Sequence, residues 1–342
     1  MKYLLAYSIP TLTFMGIYFG GIYTFASLFY AFVCIPAMEI MMQNQTSNNK
    51  EASALKEKNA ILFDLMLYVN LPIVYGILIY ALYKVTMTDI STFEIIGTTL
   101  STGVMLGANG INVAHELGHR TKMAEKIIAK LLLIPSYYTH FYIEHNHGHH
   151  LNVATPNDAS TAKLNQNLYA FWFQSVVGTY SKAWKIQGEI NKNNQQKFAN
   201  IKNDMLWLTI AQIVYMTIIY LQFGLKGILF SLASGIVGFL LLETINYIEH
   251  YGLLRQKTAS GRYERVTEQH SWNSNNLLGR LILYELTRHS DHHFKSTKKY
   301  QTLENHQSSP QLAFGYPTSM VIAFCPPLWF NIMNKRVPAE MK

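Results

Sequence analysis

Six runs of mainly apolar residues divide this sequence into segments of membrane-spanning length. About 20 residues in a helix cross the hydrocarbon core of a bilayer, and apolar runs of that length without charges are typical of transmembrane helices. The pattern therefore predicts an all-α integral membrane protein, with six transmembrane helices in a single domain over residues 1–342. The predicted spans are 3–19, 22–42, 61–83, 92–113, 204–222 and 226–247.

The segments between the spans have equally distinct patterns. Gly20 and Gly21 separate the first two spans and predict a tight turn, which makes these spans a helical hairpin. Residues 43–60 are polar and predict a loop. A shorter apolar stretch, 315–333, contains three prolines. Because proline disfavours helix interiors, we expect that stretch to be re-entrant or to lie at the membrane interface.

The composition agrees with a membrane protein. Only 14% of the 342 residues are charged and 49% are apolar, whereas soluble domains have about 25% charged residues. The two cysteines, Cys34 and Cys325, lie inside apolar runs. They exclude a four-cysteine zinc or iron site within this chain and make a disulfide framework improbable on composition.

The distribution of basic residues predicts the orientation in the membrane. With the N-terminus inside, the inside segments are 43–60, 114–203 and 248–342. All but two of the 28 Lys and Arg residues then face the cytoplasm, the exceptions being Lys84 and Lys226. This asymmetry favours the inner (cytoplasmic) membrane, with the polar insertions on the cytoplasmic side.

Thirteen histidines are present, and most of them fall into tight clusters at predicted cytoplasmic ends of spans. In the motif HELGH, the spacing of four residues places His115 and His119 on one helix face, where both imidazoles can bind one metal. EHNHGHH and RHSDHH form two further clusters, and NYIEHYG adds one histidine after the sixth span. The candidate ligands are His115, His119, His145, His149, His150, His250, His289, His292 and His293.

The number of histidines decides between kinds of metal site. HELGH also fits the zinc-protease pattern H-E-x-x-H, in which Glu116 would be the general base. Such a site uses three protein ligands, and tetrahedral zinc cannot use nine imidazoles. Two irons with four or five imidazoles each account for the whole set and leave a position for dioxygen. A non-catalytic metal-binding or transport protein is the alternative from a different class, although transport predicts ionisable residues deep within the spans.

Carboxylates adjoin the clusters and are candidates for contacts with the ligands. Neutral imidazoles do not offset the charge of two divalent irons, so we expect carboxylates to accept hydrogen bonds from the second nitrogens of the ligands. The candidates are Glu116, Glu144, Asp158, Glu249 and Asp291. The remaining histidines are expected to be structural or surface groups, with His270 as the main exception; they are His140, His147, His270 and His306.

Several motifs resemble the membrane alkane monooxygenases, a family within the histidine-box desaturases and hydroxylases. The resemblance covers nearly the whole chain and is strongest in the three clusters and in HFYIEHNHGHH, VATPNDAS, NYIEHYGLLRQ, GRYE and HSWNSN. NYIEHYGL and HSWNSN discriminate best, because the histidine clusters are shared with fatty-acid desaturases. Asn276 and Thr139 depart from the family pattern, but neither is a candidate ligand.

The resemblance implies a six-helix fold, a di-iron site with all nine histidines as ligands, and electrons from a rubredoxin and its reductase. It also implies that dioxygen is used to hydroxylate the terminal carbon of alkanes to primary alcohols. A fatty-acyl desaturase or an aryl-methyl hydroxylase of the same superfamily is the alternative. No nucleic acid partner is expected, and the basic residues Lys295, Lys298 and Lys299 after the third cluster are a candidate docking site for an acidic carrier.

Overall fold

The computed structural model describes residues 2–42 and 60–341, whose regular secondary structure is helical. Within that part of the chain the only β-contacts are two isolated bridges, Lys257 with Tyr263 and Asn273 with Gln311. The helices are α1 (Lys2–Tyr7 as 3₁₀ turns, then Ser8–Phe19), α2 (Gly21–Met41), α3 (Ala60–Met87), α4 (Thr92–Met105, Leu106–Ile111 and Asn112–Gly118), α5 (Met123–Leu133), α6 (Phe141–Glu144, His145–His149 and His150–Asn152), α7 (Leu168–Asn193), α8 (Asp204–His250), α9 (Leu277–Ile282), α10 (His289–Phe294), α11 (Tyr316–Ala323) and α12 (Pro326–Met333).

Each of the six predicted spans lies on a helix. Three helices, α2, α3 and α8, are long and apolar enough to cross a membrane by length and composition. The helix α8 has 47 residues and is broken at Gly224, whose φ of 63° and ψ of −165° are not helical. The two helical halves that meet at this break correspond to the spans predicted for 204–222 and 226–247. The arrangement of all six in the membrane stays a prediction.

The turn between α1 and α2 is made by glycine, as the sequence predicts. Gly20 and Gly21 have φ values of 72° and 56°, a region that side chains disfavour. Gly16 allows the two helices to approach, because a Cβ there would lie 2.3 Å from the carbonyl oxygen of Tyr23. The predicted polar loop, 43–60, falls almost wholly outside the described residues.

The predicted fourth and sixth spans, which form α4 and the second half of α8, pack closely against each other. A Cβ on Gly103 would lie 2.4 Å from Cγ1 of Val237, and one on Gly238 would lie 3.3 Å from the carbonyl oxygen of Gly103. Small residues on both helices thus allow the backbones to approach, as in membrane helix pairs.

The segment 114–203 differs from the prediction of a polar insertion. After α5, the turn at Ile134–Ser136 packs among the long helices: the Tyr137 hydroxyl lies 2.9 Å from Oγ of Ser231 on α8. The Tyr75 hydroxyl on α3 donates to the carbonyl oxygen of Leu131. Ile134, Pro135 and Ser136 are all buried, so this turn is part of the helical bundle, and α6 follows it.

The apolar stretch 315–333 forms two short helices, α11 and α12, interrupted at Phe324 and Cys325. Pro326 begins α12, a position where the missing N–H of proline costs no helical hydrogen bond. A single spanning helix is thereby excluded for this stretch. Its placement at the membrane interface stays a prediction.

Candidate metal centre

Five histidines from three helices converge into one group at the ends of α4, α6 and α10. The Nε2 atom of His115 lies 3.0 Å from that of His292, and the Nε2 atoms of His145 and His150 are also 3.0 Å apart. His119 completes the group, 3.1 Å from His145. The ligand nitrogens of all five lie within 4.8 Å of one another.

Four further histidines form a second group beside the first. The Nε2 atoms of His149 and His293 are 3.2 Å apart, and those of His250 and His289 are also 3.2 Å apart. His250 is the last residue of α8. The two groups together contain all nine candidate ligands, divided five and four.

A π-helical turn divides the second histidine cluster between the two groups. Residues His145–His149 form this turn, which widens the helix so that residues five apart come onto one side. His145 and His150 therefore face the same group, although an ordinary α-helix would separate them by well over a quarter turn. His149, one residue before His150, faces the other group.

Burial makes these imidazoles suitable for a metal. His145, His150 and His292 lie in the interior beside other imidazoles, and removal from water lowers the pKa of each well below its usual value. They are consequently neutral, which is the form that binds a metal. Five converging imidazole nitrogens also cannot all hydrogen-bond to one another, because each hydrogen bond needs one protonated and one unprotonated nitrogen. A cation at the centre of each group satisfies all of them, so the donor set fits metal ions.

Asp158 orients one of these ligands. Nδ1 of His149 lies 2.9 Å from Oδ2 of Asp158, which also accepts a hydrogen bond from the Thr161 hydroxyl at 2.6 Å. Burial disfavours the charged imidazole, but the neighbouring Asp158 carboxylate outweighs it and raises the pKa of His149. Because a carboxylate only accepts, the proton stays on Nδ1 and Nε2 is directed into the second group.

Glu249 approaches the site differently from Asp158. Its Oε2 lies 3.1 Å from Nε2 of His289, the nitrogen that faces the second group, and its Oε1 accepts a hydrogen bond from the Tyr316 hydroxyl at 2.8 Å. The carboxylate thus lies on the metal-facing side of the imidazole. Nothing in the sequence indicated Tyr316 as its partner, since 67 residues separate the two.

The other three carboxylates have partners outside the nine histidines. Glu116 accepts from the Arg120 guanidinium at 2.6 Å, so it is not free to be the base of a protease. Glu144 pairs with Lys182, and Asp291 with Lys298 and His306. In the described residues these three carboxylates contact basic groups instead, and hydrogen bonds from the candidate ligands to them stay a prediction.

The basic residues after the third cluster are also engaged within the chain. Nζ of Lys298 lies 2.9 Å from Oδ2 of Asp291, and Nζ of Lys299 lies 2.9 Å from Oδ2 of Asp64. Only Lys295 of the three is exposed. These ion pairs hold the loop after α10 against the rest of the chain, so two of the three lysines are unsuited to docking a carrier.

The four remaining histidines lie outside both groups. His140 contacts the Thr179 hydroxyl, His270 pairs with Glu264, His306 pairs with Asp291, and His147 is exposed. His270 also receives the Thr267 backbone N–H on its Nδ1, and the hydroxyl of its neighbour Ser271 lies 3.5 Å from Nδ1 of His250. The structural roles expected for these histidines agree with these contacts.

An apolar cavity lies within the helical bundle near the histidines. Its walls come from α2, α4, α8, α9 and α11, and include Ala31, Val104, Leu241, Ile282 and Met320. A smaller cavity adjoins it and is lined by His115, His145 and His289. Both cavities share four residues, which form their junction: Asn112, Leu242, Ile245 and Leu286.

Comparisons with known proteins agree with this geometry. Residues 92–319 match the family described as fatty acid desaturase. The chain is 36% identical over 310 residues to alkane 1-monooxygenase 2 of Pseudomonas aeruginosa, covering 90% of this chain and 82% of the relative. It is 35% identical over 334 residues to alkane 1-monooxygenase 2 of Alcanivorax borkumensis, covering 97% and 87%. The hydroxylase component of the xylene/toluene monooxygenase of Pseudomonas putida is 25% identical over 335 residues, covering 96% and 87%.

Proposed function

The chain belongs to the alkane 1-monooxygenase family of histidine-box oxidoreductases, and we propose that it hydroxylates the terminal carbon of alkanes to primary alcohols. The balanced reaction joins one alkane, one dioxygen, two electrons and two protons to give one alcohol and one water. The observation that carries this proposal is the apolar cavity that shares four lining residues with a smaller cavity against the two buried groups of imidazoles.

The two groups would each hold one iron. His115, His119, His145, His150 and His292 would bind the first, and His149, His250, His289 and His293 the second. When bound, the irons would supply the activation of dioxygen. Consecutive histidines from different groups, such as His292 and His293, would keep the two metals at a fixed separation. Asp158 would hold His149 in the required tautomer.

The cavity would select the substrate by shape and apolar contact alone. An alkane has no polar group, so its binding derives from burial, at about 0.8 kcal/mol per CH₂. Leu242, Ile245 and Leu286 line both cavities and would form the passage between them. A chain that enters end-on would present its terminal methyl group there, and the same side chains would exclude water.

The electrons would come from a separate carrier of the rubredoxin type. Two electrons are needed for each turnover, and the two cysteines of this chain cannot form a four-cysteine iron centre. We place the enzyme in the inner membrane, with the histidine site on the cytoplasmic side, where a soluble carrier of this type would dock. The asymmetric distribution of Lys and Arg supports this orientation.

The similarity to the xylene/toluene enzyme supports a second candidate substrate class, methyl groups on aromatic rings. Product analysis separates the candidates. Reconstituted enzyme would receive an equimolar mixture of octane, dodecane, hexadecane and p-xylene under ¹⁸O₂, with a carrier and its reductase. We expect 1-alkanols that contain one ¹⁸O atom. Predominant 4-methylbenzyl alcohol would favour the aryl substrate, and alkenes without ¹⁸O would indicate a desaturase.

A further inference from the structure

The helix α7 has three distinct faces along its 26 residues. One face is buried against the protein and includes Phe171, Ser175 and Thr179. A second face is exposed and polar, with Ser181, Lys185 and Lys192 at spacings of four and seven residues. The third face is exposed and apolar, formed by Tyr169, Phe173, Val177 and Tyr180.

The apolar face is unusual for a segment outside the spans. Phe173 is 74% exposed, and its neighbours at spacings of four and seven residues, Tyr169, Val177 and Tyr180, are about half exposed. A helix with one apolar and one basic exposed face is the pattern of a helix that lies in the plane of a membrane surface.

The contacts between α7 and α8 indicate how deep α7 lies in the bilayer. Nε1 of Trp172 donates to the Thr244 hydroxyl on α8 at 3.2 Å. Thr244 follows the break at Gly224 by 20 residues, a helical rise of about 30 Å at ~1.5 Å per residue. That distance equals the thickness of the hydrocarbon core, so α7 lies at the boundary of the bilayer on the side of the histidines.

Both ends of α7 lie on the same side of the membrane. The ring of Phe171, near its beginning, packs on Tyr247 at the end of α8. Near its end, the Gln187 amide donates to the carbonyl oxygen of Lys202, just before α8 begins. Because α8 crosses out and back, these two points share one face. The helix therefore runs along the membrane rather than through it.

The apolar face continues into other exposed apolar residues. The Tyr169 hydroxyl donates to the carbonyl oxygen of Phe324, which is exposed between α11 and α12. At the other end, the ring of Trp184 stacks on the exposed Phe198. The basic side is equally continuous: residues 181–203 contain five lysines and a single acidic residue, Glu189.

We propose that α7 is an in-plane helix whose Tyr169, Phe173, Val177 and Tyr180 insert into the lipid and whose lysines bind anionic headgroups. This inference rests on the membrane location of the chain and not on the reaction proposed for it. The helix also touches the histidine site, since Lys182 pairs with Glu144 beside His145. Lipid contact thus holds the helix that supports the second histidine cluster.

Spin labels on the two exposed faces test the insertion. In a background of Cys34→Ser and Cys325→Ser, single variants Phe173→Cys and Val177→Cys would be labelled in nanodiscs that contain phosphatidylglycerol. Ser181→Cys and Lys192→Cys are the matched controls on the polar face. We expect spin labels at the two apolar sites to collide with oxygen and not with a water-soluble nickel chelate. Labels at the two control sites should collide mainly with the nickel chelate.

Two results would overturn this inference. Equal accessibility of Phe173 and Ser181 labels to the nickel chelate would place the apolar face in water. If the label at position 173 is shielded from both oxygen and the nickel chelate, and couples to the same label on another chain, a second copy of the protein covers this face. For the headgroups, phosphatidylglycerol should raise the unfolding temperature of the parent more than that of the Lys185→Glu/Lys192→Glu variant. An unchanged lipid effect in that variant, matching an Arg262→Glu/Arg265→Glu control, would refute the role of the lysines.

Discussion

His149 and His150 are consecutive in the chain, yet their Nε2 atoms belong to different histidine groups. Their rings are inclined at 71° with centroids 5.9 Å apart. The π-helical turn at His145–His149 produces this divergence, because the extra residue in the turn rotates His150 back toward His145. The separation of the two groups therefore depends on a local backbone feature.

The π-helical turn should not tolerate a side chain at Gly148. A Cβ there would lie 2.5 Å from Oε1 of Glu144 and 2.9 Å from Cδ1 of Ile186. Overpacking of this kind costs about 1–3 kcal/mol, and displacement of the turn moves ligands of both groups. We expect Gly148→Ala to bind less iron than the parent, as measured by elemental analysis of the purified protein. Gly188→Ala on α7, where a Cβ would meet nothing within 4 Å, is the control. Equal iron content in both variants would contradict the role of the turn.

Asp158→Asn should weaken metal binding without removing a ligand. The amide can present its NH₂ group to Nδ1 of His149 and reverse the tautomer, which directs a protonated nitrogen at the second group. Loss of such a partner usually costs about 10–100-fold in metal affinity or activity. Iron retention during titration with a chelator measures this effect. The exposed Asp89→Asn is the control, and retention equal to that control would remove Asp158 from the site.

Ala31→Phe should shorten the longest alkane that the enzyme oxidises. Ala31 lines the apolar cavity from α2 and is absent from the junction with the histidines, so a larger side chain fills the far part of the cavity. Turnover of hexadecane should fall more than that of octane. Val33→Phe adds the same ring on the same helix at a position 48% exposed and outside the cavity, and should leave the ratio unchanged. A constant hexadecane-to-octane ratio in Ala31→Phe would show that the substrate binds elsewhere.

Lys295→Glu should slow electron delivery by an acidic carrier at low salt. Lys295 is exposed directly after α10, which contains candidate ligands of both groups. Among residues 2–42 and 60–341 it forms no ion pair like those of Lys298 and Lys299. Charge reversal should raise the KM for the carrier, and added salt should narrow the difference because exposed charges are screened within about 10 Å at 0.1 M. Lys84→Glu, on the predicted outer face, is the control. Identical carrier KM values at low salt would place docking elsewhere.

The sequence predicts which residues form the site better than it predicts the contacts among them. The nine histidines are recognisable because their spacings and their positions at the ends of apolar runs are local features, and the structure brings all nine together. The sequence predicts four or five imidazoles for each metal, but not which histidine belongs to which group, because that depends on the π-helical turn that separates His149 from His150.

The contacts of the carboxylates also depend on tertiary structure. Sequence adjacency selected Glu116 and Asp291 as partners of the ligands, but the approach of Arg120 and Lys298 decides where their oxygens bond. The helix α7 was not predicted either, since its buried face is largely polar: Ser175 donates to the buried Glu243, and Gln187 bonds to Asn191. A search for apolar runs does not detect such a helix.

The amount and kind of metal bound per chain tests the central claim most directly. Protein purified from iron-supplied cells would be analysed for iron and zinc and by Mössbauer spectroscopy. Nine imidazoles in groups of five and four predict about two irons per chain, with little zinc. They also predict two resolvable iron environments, and the removal of one ligand from each group should affect these separately, in His150→Ala and in His293→Ala. A single metal per chain, or stoichiometric zinc, would contradict the account.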